Sequence, residues 1–182
     1  LGLKTDGSSD GVTVLKQGWG VEPLTEGQAA CVSTMSYNEY WVVRDAGYTP
    51  EQLTVFKYQK EGAATLEDGL YVHEKNMSDP VFKDKMVRFV RASMKGWKYA
   101  EDNPKEAAMI ILENDDAGVQ TEKHQVRMMG EVAKLTAGSN GSLDPADYER
   151  TVKVLMSGAS DPVITKKPSG AWTHEITNAA LK

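Results

Sequence analysis

The sequence is short of the groups that most often announce a chemistry. Its 182 residues hold one cysteine, Cys31, and three histidines, His73, His124 and His174. A single thiol excludes an internal disulfide and any multi-cysteine zinc or iron–sulfur site. Cys31 lies in a run of small residues, Ala29-Ala30-Cys31-Val32, and reads as a buried small hydrophobe rather than a nucleophile. The histidines are far apart, and none has a second ligand at metal spacing on a shared helix face, so they read as surface residues and no metal is implied. Glu122 and His124 are two apart, which sends them to different sides of a helix. Asp115-Asp116 lacks the further oxygen ligands of a calcium loop and reads as a solvated turn. There is no Gly-x-Ser-x-Gly elbow and no Gly-x-x-x-x-Gly-Lys-Ser/Thr phosphate loop. No apolar run approaches the ~20 residues that span a bilayer. Basic surplus is lacking too: 21 Lys+Arg face 26 Asp+Glu, a net charge of −5 that argues against a nucleic-acid partner.

What remains is 40% hydrophobic and 26% charged, enough to bury a core in one domain or two small lobes. The chain starts at Leu1 with no charged and apolar leader pattern, and its first eleven residues have the composition of a loop. A domain rarely begins with a connection, so the expectation is that further sequence precedes it.

Punctuation divides the chain near residue 66. Val12-Thr13-Val14-Leu15, Ala29 to Thr34 and Leu53 to Tyr58 read as short strands. One helical turn is predicted at Glu22 to Gly27, and a helix from Tyr37 to Ala46 with Gly47 after it. Strands alternating with helices suggest a parallel or mixed sheet. After a last short strand at Leu70-Tyr71-Val72, the pattern becomes helical. Asp79 followed by Pro80 opens a helix whose apolar stripe is Phe82, Met86, Phe89, Val90, Met94 and Trp97, of which Phe82, Met86, Phe89, Val90 and Trp97 are expected to be mostly buried. Asn103-Pro104 with Glu106 has the spacing of a capping box. Further helices are predicted from Thr121 to Thr136, from Asp144-Pro145 with Tyr148, Val152 and Leu155 inward, and from Thr173 to Leu181. The division is thus 1–66, a β/α part, and 67–182, a helical part.

Two segments offer a binding site. Gly18-Trp19-Gly20 gives close backbone approach beside a flat indole. The alternative is a turn whose Trp19 packs into a local core. Thr34, Ser36, Tyr37 and Asn38 stand between a strand and a helix, where hydroxyls and free N–H groups face a ligand. The alternative there is plain N-capping by Ser36. Adjacent parallel strands would set the two ends side by side, so the candidate ligand-binding residues are Trp19, Gly20, Thr34, Ser36, Tyr37 and Asn38.

The string ACVSTMSYNEY (30–40) resembles the region after the "G-x-x-D-A" strand in periplasmic substrate-binding proteins of the NMT1/THI5-like family. VRFVRASMKGWKYA (87–100) followed by NPKEAA (103–108) is similar to that family's "fv-A-lkGw-ya-en-peeA" helix pair. LDPADYERT (143–151) resembles its "G-x-x-d-p-e-x-w-x-x-t" segment, and the likenesses stay in order over nearly the whole chain. The resemblance implies a type II periplasmic-binding-protein-like α/β fold, here partial: the remainder of lobe two, then the mostly helical remainder of lobe one. It implies capture of a small polar or heteroaromatic ligand, such as a thiamine-pyrimidine precursor, sulfonate, taurine or nitrate. It also implies an ABC-transporter permease as partner, a periplasmic or extracellular location at the membrane, and neither cofactor nor catalysis. Missing N-terminal sequence of the same protein, or another copy of the chain, would cover the exposed apolar stripes. The family's eukaryotic branch comprises pyrimidine-biosynthesis enzymes with a C-C-C-F-C motif and an active-site histidine. Here only Cys31 is present, and no histidine lies near Ser36 in the sequence.

Overall fold

Proline and acidic caps decide where this chain turns helical. In the computed structural model, which describes residues 4–5, 7–157 and 162–182, seven α-helices are formed. They are α1 (Glu22–Thr25), α2 (Glu39–Asp45), α3 (Pro80–Asp102), α4 (Pro104–Glu113), α5 (Glu122–Thr136), α6 (Pro145–Met156) and α7 (Glu175–Ala180). Single 3₁₀ turns occupy Pro50–Gln52 and Glu74–Ser78. The opening loop predicted for the first eleven residues lies partly outside the described residues.

Two of the predicted starts form by the expected chemistry. The Asp79 carboxylate accepts the Val81 N–H at 2.9 Å, with Pro80 in the first turn of α3. Asp144 accepts the Ala146 N–H at 2.7 Å, with Pro145 opening α6. In each, the side-chain oxygen satisfies an amide the helix leaves free, and proline stands where no amide is needed. The capping box at Asn103 does not form. The Asn103 side chain donates instead to the Tyr99 carbonyl at 3.0 Å, closing the end of α3. Glu106, its expected partner, bonds the Tyr99 phenol and raises its pKa.

The α/β architecture expected from the sequence is not what the chain adopts. About half of the described residues are helical, and among them there is no strand and no sheet. The β-branched runs at 12–15, 29–34, 53–58 and 70–72 are irregular connections. A strand is a pairing rather than a composition, and no neighbouring backbone supplies a ladder to these runs. Side chains supply part of what a ladder would. The Gln17 amide takes both the N–H and the carbonyl of Ser33, at 2.8 and 2.9 Å. Thr151 Oγ1 on α6 accepts the Leu66 N–H at 2.8 Å, and Arg150 donates to the Ala64 carbonyl at 3.1 Å.

The core is small. Among the described residues the buried apolar side chains are Val21, Val43, Ala107, Ala108, Val152 and Ala180. They sit where α4 packs on α5, where α7 packs on α3, at single points on α2 and α6, and, for Val21, just before α1. The stripe on α3 is covered only in part: Phe82, Met86 and Val90 are mostly buried as predicted, but Phe89 is 55% exposed and Trp97 46% exposed, and no residue of α3 is fully covered. An open cleft of about 620 Å³ separates its Phe82, Met86 and Phe89 from Leu70-Tyr71-Val72.

Candidate functional site

Gln17 is the residue that draws the two candidate segments together. Its Nε2 donates to the Gly20 carbonyl at 3.2 Å and to the Ser33 carbonyl at 2.9 Å, while its Oε1 accepts the Ser33 N–H. The expected juxtaposition through adjacent strands is therefore made by one carboxamide. Beside it, the Trp19 indole is 100% exposed and stacks on no other ring among the described residues. The Glu22 carboxylate folds over Gly20 so closely that an added Cβ would lie 1.8 Å from its Oε2. A side chain at position 20 would displace that flexible carboxylate.

The second segment is a turn. Residues 36–38 turn, and α2 starts only at Glu39, three residues later than Ser36. Ser36 is thus outside capping reach, and it is exposed, while Thr34, Tyr37 and Asn38 are half-buried. The free amide expected at this helix start is occupied. Glu39 reaches back, its Oε2 accepting the Met35 N–H at 2.8 Å and its Oε1 the Asn38 amide at 3.0 Å. The turn carries a built-in carboxylate where an anionic ligand would need donors. Tyr37 shares that field: partial burial pushes its phenol pKa up, and the charges of Asp68, Glu39 and Glu67 push it further. Ser33 Oγ stands 3.4 Å from the Tyr58 hydroxyl, extending the polar surface.

A third contributor comes from α5. Lys123 and His124 stand four and three residues before Arg127 on that helix; Lys123 and Arg127 meet Asp45 at the end of α2, and His124 meets Asn38 just before its start. His124 Nε2 lies 2.8 Å from Asn38 Oδ1. Asp45 accepts from Lys123 and from Arg127, each at 2.9 Å. The Arg127 guanidinium also lies over the Trp41 ring, 4.9 Å from its centre. These bonds hold the Asp45 carboxyl below its usual range, the Lys123 hydrogen bond foremost.

Sequence reasoning missed Gln17 and His124. Nothing distinguishes Gln17 from any exposed glutamine until its partners are placed. His124 reads as a surface histidine because Asn38 is 86 residues away in the chain. His174 is likewise engaged: it bonds the Leu143 carbonyl at 2.8 Å, and its ring lies 4.7 Å from that of Trp172. Cys31, expected to be buried, is exposed, because no partner strand covers its segment. Asp115 accepts the Gln120 N–H at 2.7 Å and closes its turn. Among the described residues no cluster of three His, Cys, Asp or Glu could hold a metal ion. No helix among them is long and apolar enough to cross a membrane.

A family model described as NMT1/THI5 like matches residues 3–107, which takes in Gln17, Trp19, the 33–39 turn and all of α3. No curated protein and no solved structure matches the chain.

Proposed function

We propose, from the premise that this chain belongs to the NMT1/THI5-like family, that it serves as the solute-binding component of an ABC import system. The family covers both such binding proteins and pyrimidine-synthesis enzymes. The observation that carries the binding reading is the Gln17 junction, which sets an uncovered indole beside a turn rich in hydroxyl and carboxamide groups. An exposed Trp19 has no packing role to explain it, and a flat ligand would stack on it. Capture of a small solute needs no more than such a stacking face with a few directed hydrogen bonds.

Among the family's ligand types, the electrostatics favour a ring with N–H donors over a sulfonate or nitrate. Glu22 and Glu39 both present carboxylates at the two segments, and the field at Tyr37 is negative. An anion would meet repulsion there, whereas an aminopyrimidine would find acceptors. The chain before residue 67 and the chain after it would form the two sides that close on the ligand. Delivery to a membrane permease, in a periplasmic or extracellular setting, completes the reading.

A second reading, an enzyme of pyrimidine biosynthesis, takes support from one contact, the approach of His124 to Asn38. Calorimetric titration of the full-length protein with aminopyrimidines, sulfonates, taurine and nitrate tests the first reading. Binding of a pyrimidine that weakens by roughly 1–3 kcal/mol in Trp19→Ala is expected. Binding of none of these, or an affinity indifferent to Trp19, overturns it. Turnover of the ligand that depends on a histidine or on added iron favours the enzyme.

A further inference from the structure

Asn38 is held from two sides, and the chemistry of the two holds is directional. A carboxylate only accepts, so the contact at 3.0 Å to Glu39 Oε1 must come from the Asn38 Nδ2 amide. That fixes which way the carboxamide faces. Its Oδ1 then points at His124, and an amide oxygen only accepts, so the 2.8 Å contact requires a proton on His124 Nε2. The chain of bonds continues through the other Glu39 oxygen to the Met35 N–H. One imidazole on α5 is thus connected, through three consecutive hydrogen bonds, to the backbone at the start of the turn that carries Ser36 and Tyr37.

We infer that His124 is the positioning residue of the candidate ligand turn: it orients the Asn38 carboxamide, and through Glu39 it holds residues 35–39 in one conformation. The effect on ligand affinity rests on the binding reading above; the lock itself does not. Two features separate this role from general packing of α5. The neighbouring pairs of Asp45 with Lys123 and Arg127 join the same two helices further along α2, so the helices stay together when the imidazole is removed. And among the described residues the hydrogen bond from His124 to the turn is the one to Asn38 Oδ1, so a carboxamide donor of similar reach can replace it.

The test uses nuclear magnetic resonance on the full chain. Nitrogen shifts of the wild-type imidazole at neutral pH should report the Nε2–H tautomer; the Nδ1–H tautomer overturns the assignment without any variant. Exchange of the Met35 amide should then accelerate about fivefold in His124→Ala, the equivalent of one neutral hydrogen bond. His124→Gln should restore it to nearly the wild-type rate, and Lys123→Ala should leave it unchanged. An exchange rate indifferent to His124→Ala, or one that Gln fails to restore, overturns the proposal. Ligand affinity should follow the same order, and His124→Ala binding as tightly as wild type overturns the positioning role. Wild type that binds none of the ligands sinks the solute-binding reading instead, while the exchange rates still judge the lock.

Discussion

Asp45 shows how unequal two ion pairs on one carboxylate can be. Lys123 reaches it from solvent, with 71% of its side chain exposed, whereas Arg127 is 25% exposed and lies over Trp41 as well. An exposed pair contributes little, and the stacked guanidinium adds a cation–π contact. Replacing Lys123 with Met should therefore cost under about 0.5 kcal/mol, and Arg127→Met about 1–2 kcal/mol, read from urea denaturation. Because the folded-state pKa of Asp45 is lowered, its contribution is present above the unfolded value near 4 and fades as pH falls through the folded one. The stability gap between wild type and Asp45→Asn should thus shrink as pH falls below about 4. A gap that stays constant from pH 7 to 3 contradicts the clasp. A second residue-scale case is Gly141, whose φ is +72°. Gly141→Ala should cost about 1–2 kcal/mol in the same assay, because an L residue is strained there. A Cβ would also lie 2.6 Å from Met94 Sδ, though that flexible side chain can yield.

At the scale of the helix, the caps make the sharpest forecast. Asp79→Ala and Asp144→Ala should each cost about 1 kcal/mol, the usual loss when a capping oxygen goes. These starts were legible because a cap is local: an oxygen, a proline and an amide two residues on lie within one turn of chain. The box at Asn103 had the same spacing, yet Tyr99, on the preceding helix, took both members of it. The strands were illegible for a stronger reason. Val12-Thr13-Val14 and Leu70-Tyr71-Val72 have strand composition, but pairing needs a second backbone, and composition does not say whether one arrives. The stripe of α3 fails in the same way at Phe89 and Trp97, while Phe82, Met86 and Val90 are mostly covered as expected. Its spacing marks a helix correctly, but spacing does not supply the surface that would cover Phe89. Phe89→Ala should consequently cost about 1 kcal/mol rather than the 3–5 typical of a filled core site. A loss near 4 kcal/mol in chemical denaturation would mean that Phe89 is covered in solution. For the candidate site, the ring, hydroxyls and turn were readable as residue types. The two side chains that fasten them were not, since Gln17 and His124 act across the fold.

For the whole molecule, area is the deciding quantity. The accessible surface is 13,544 Å² at 20.0 kDa. A compact monomer of that mass exposes about 8,700 Å². The excess matches the handful of small buried residues, and it implies shallow cooperativity, since the denaturant slope scales with the area unfolding newly exposes. The urea m-value should fall below that of a well-packed chain of equal length, at the low end of roughly 1–3 kcal/mol/M. A slope at the high end would show that the apolar surface is covered in solution. Openness also leaves Cys31 reachable, and it is the sole thiol in these 182 residues. It stands two residues before Ser33, whose backbone the Gln17 carboxamide grips. A maleimide dye would therefore attach at one position, with no engineering, next to the junction of the two candidate segments. Under the proposed solute-binding role, its emission would become an optical gauge of occupancy, readable at concentrations too low for calorimetry.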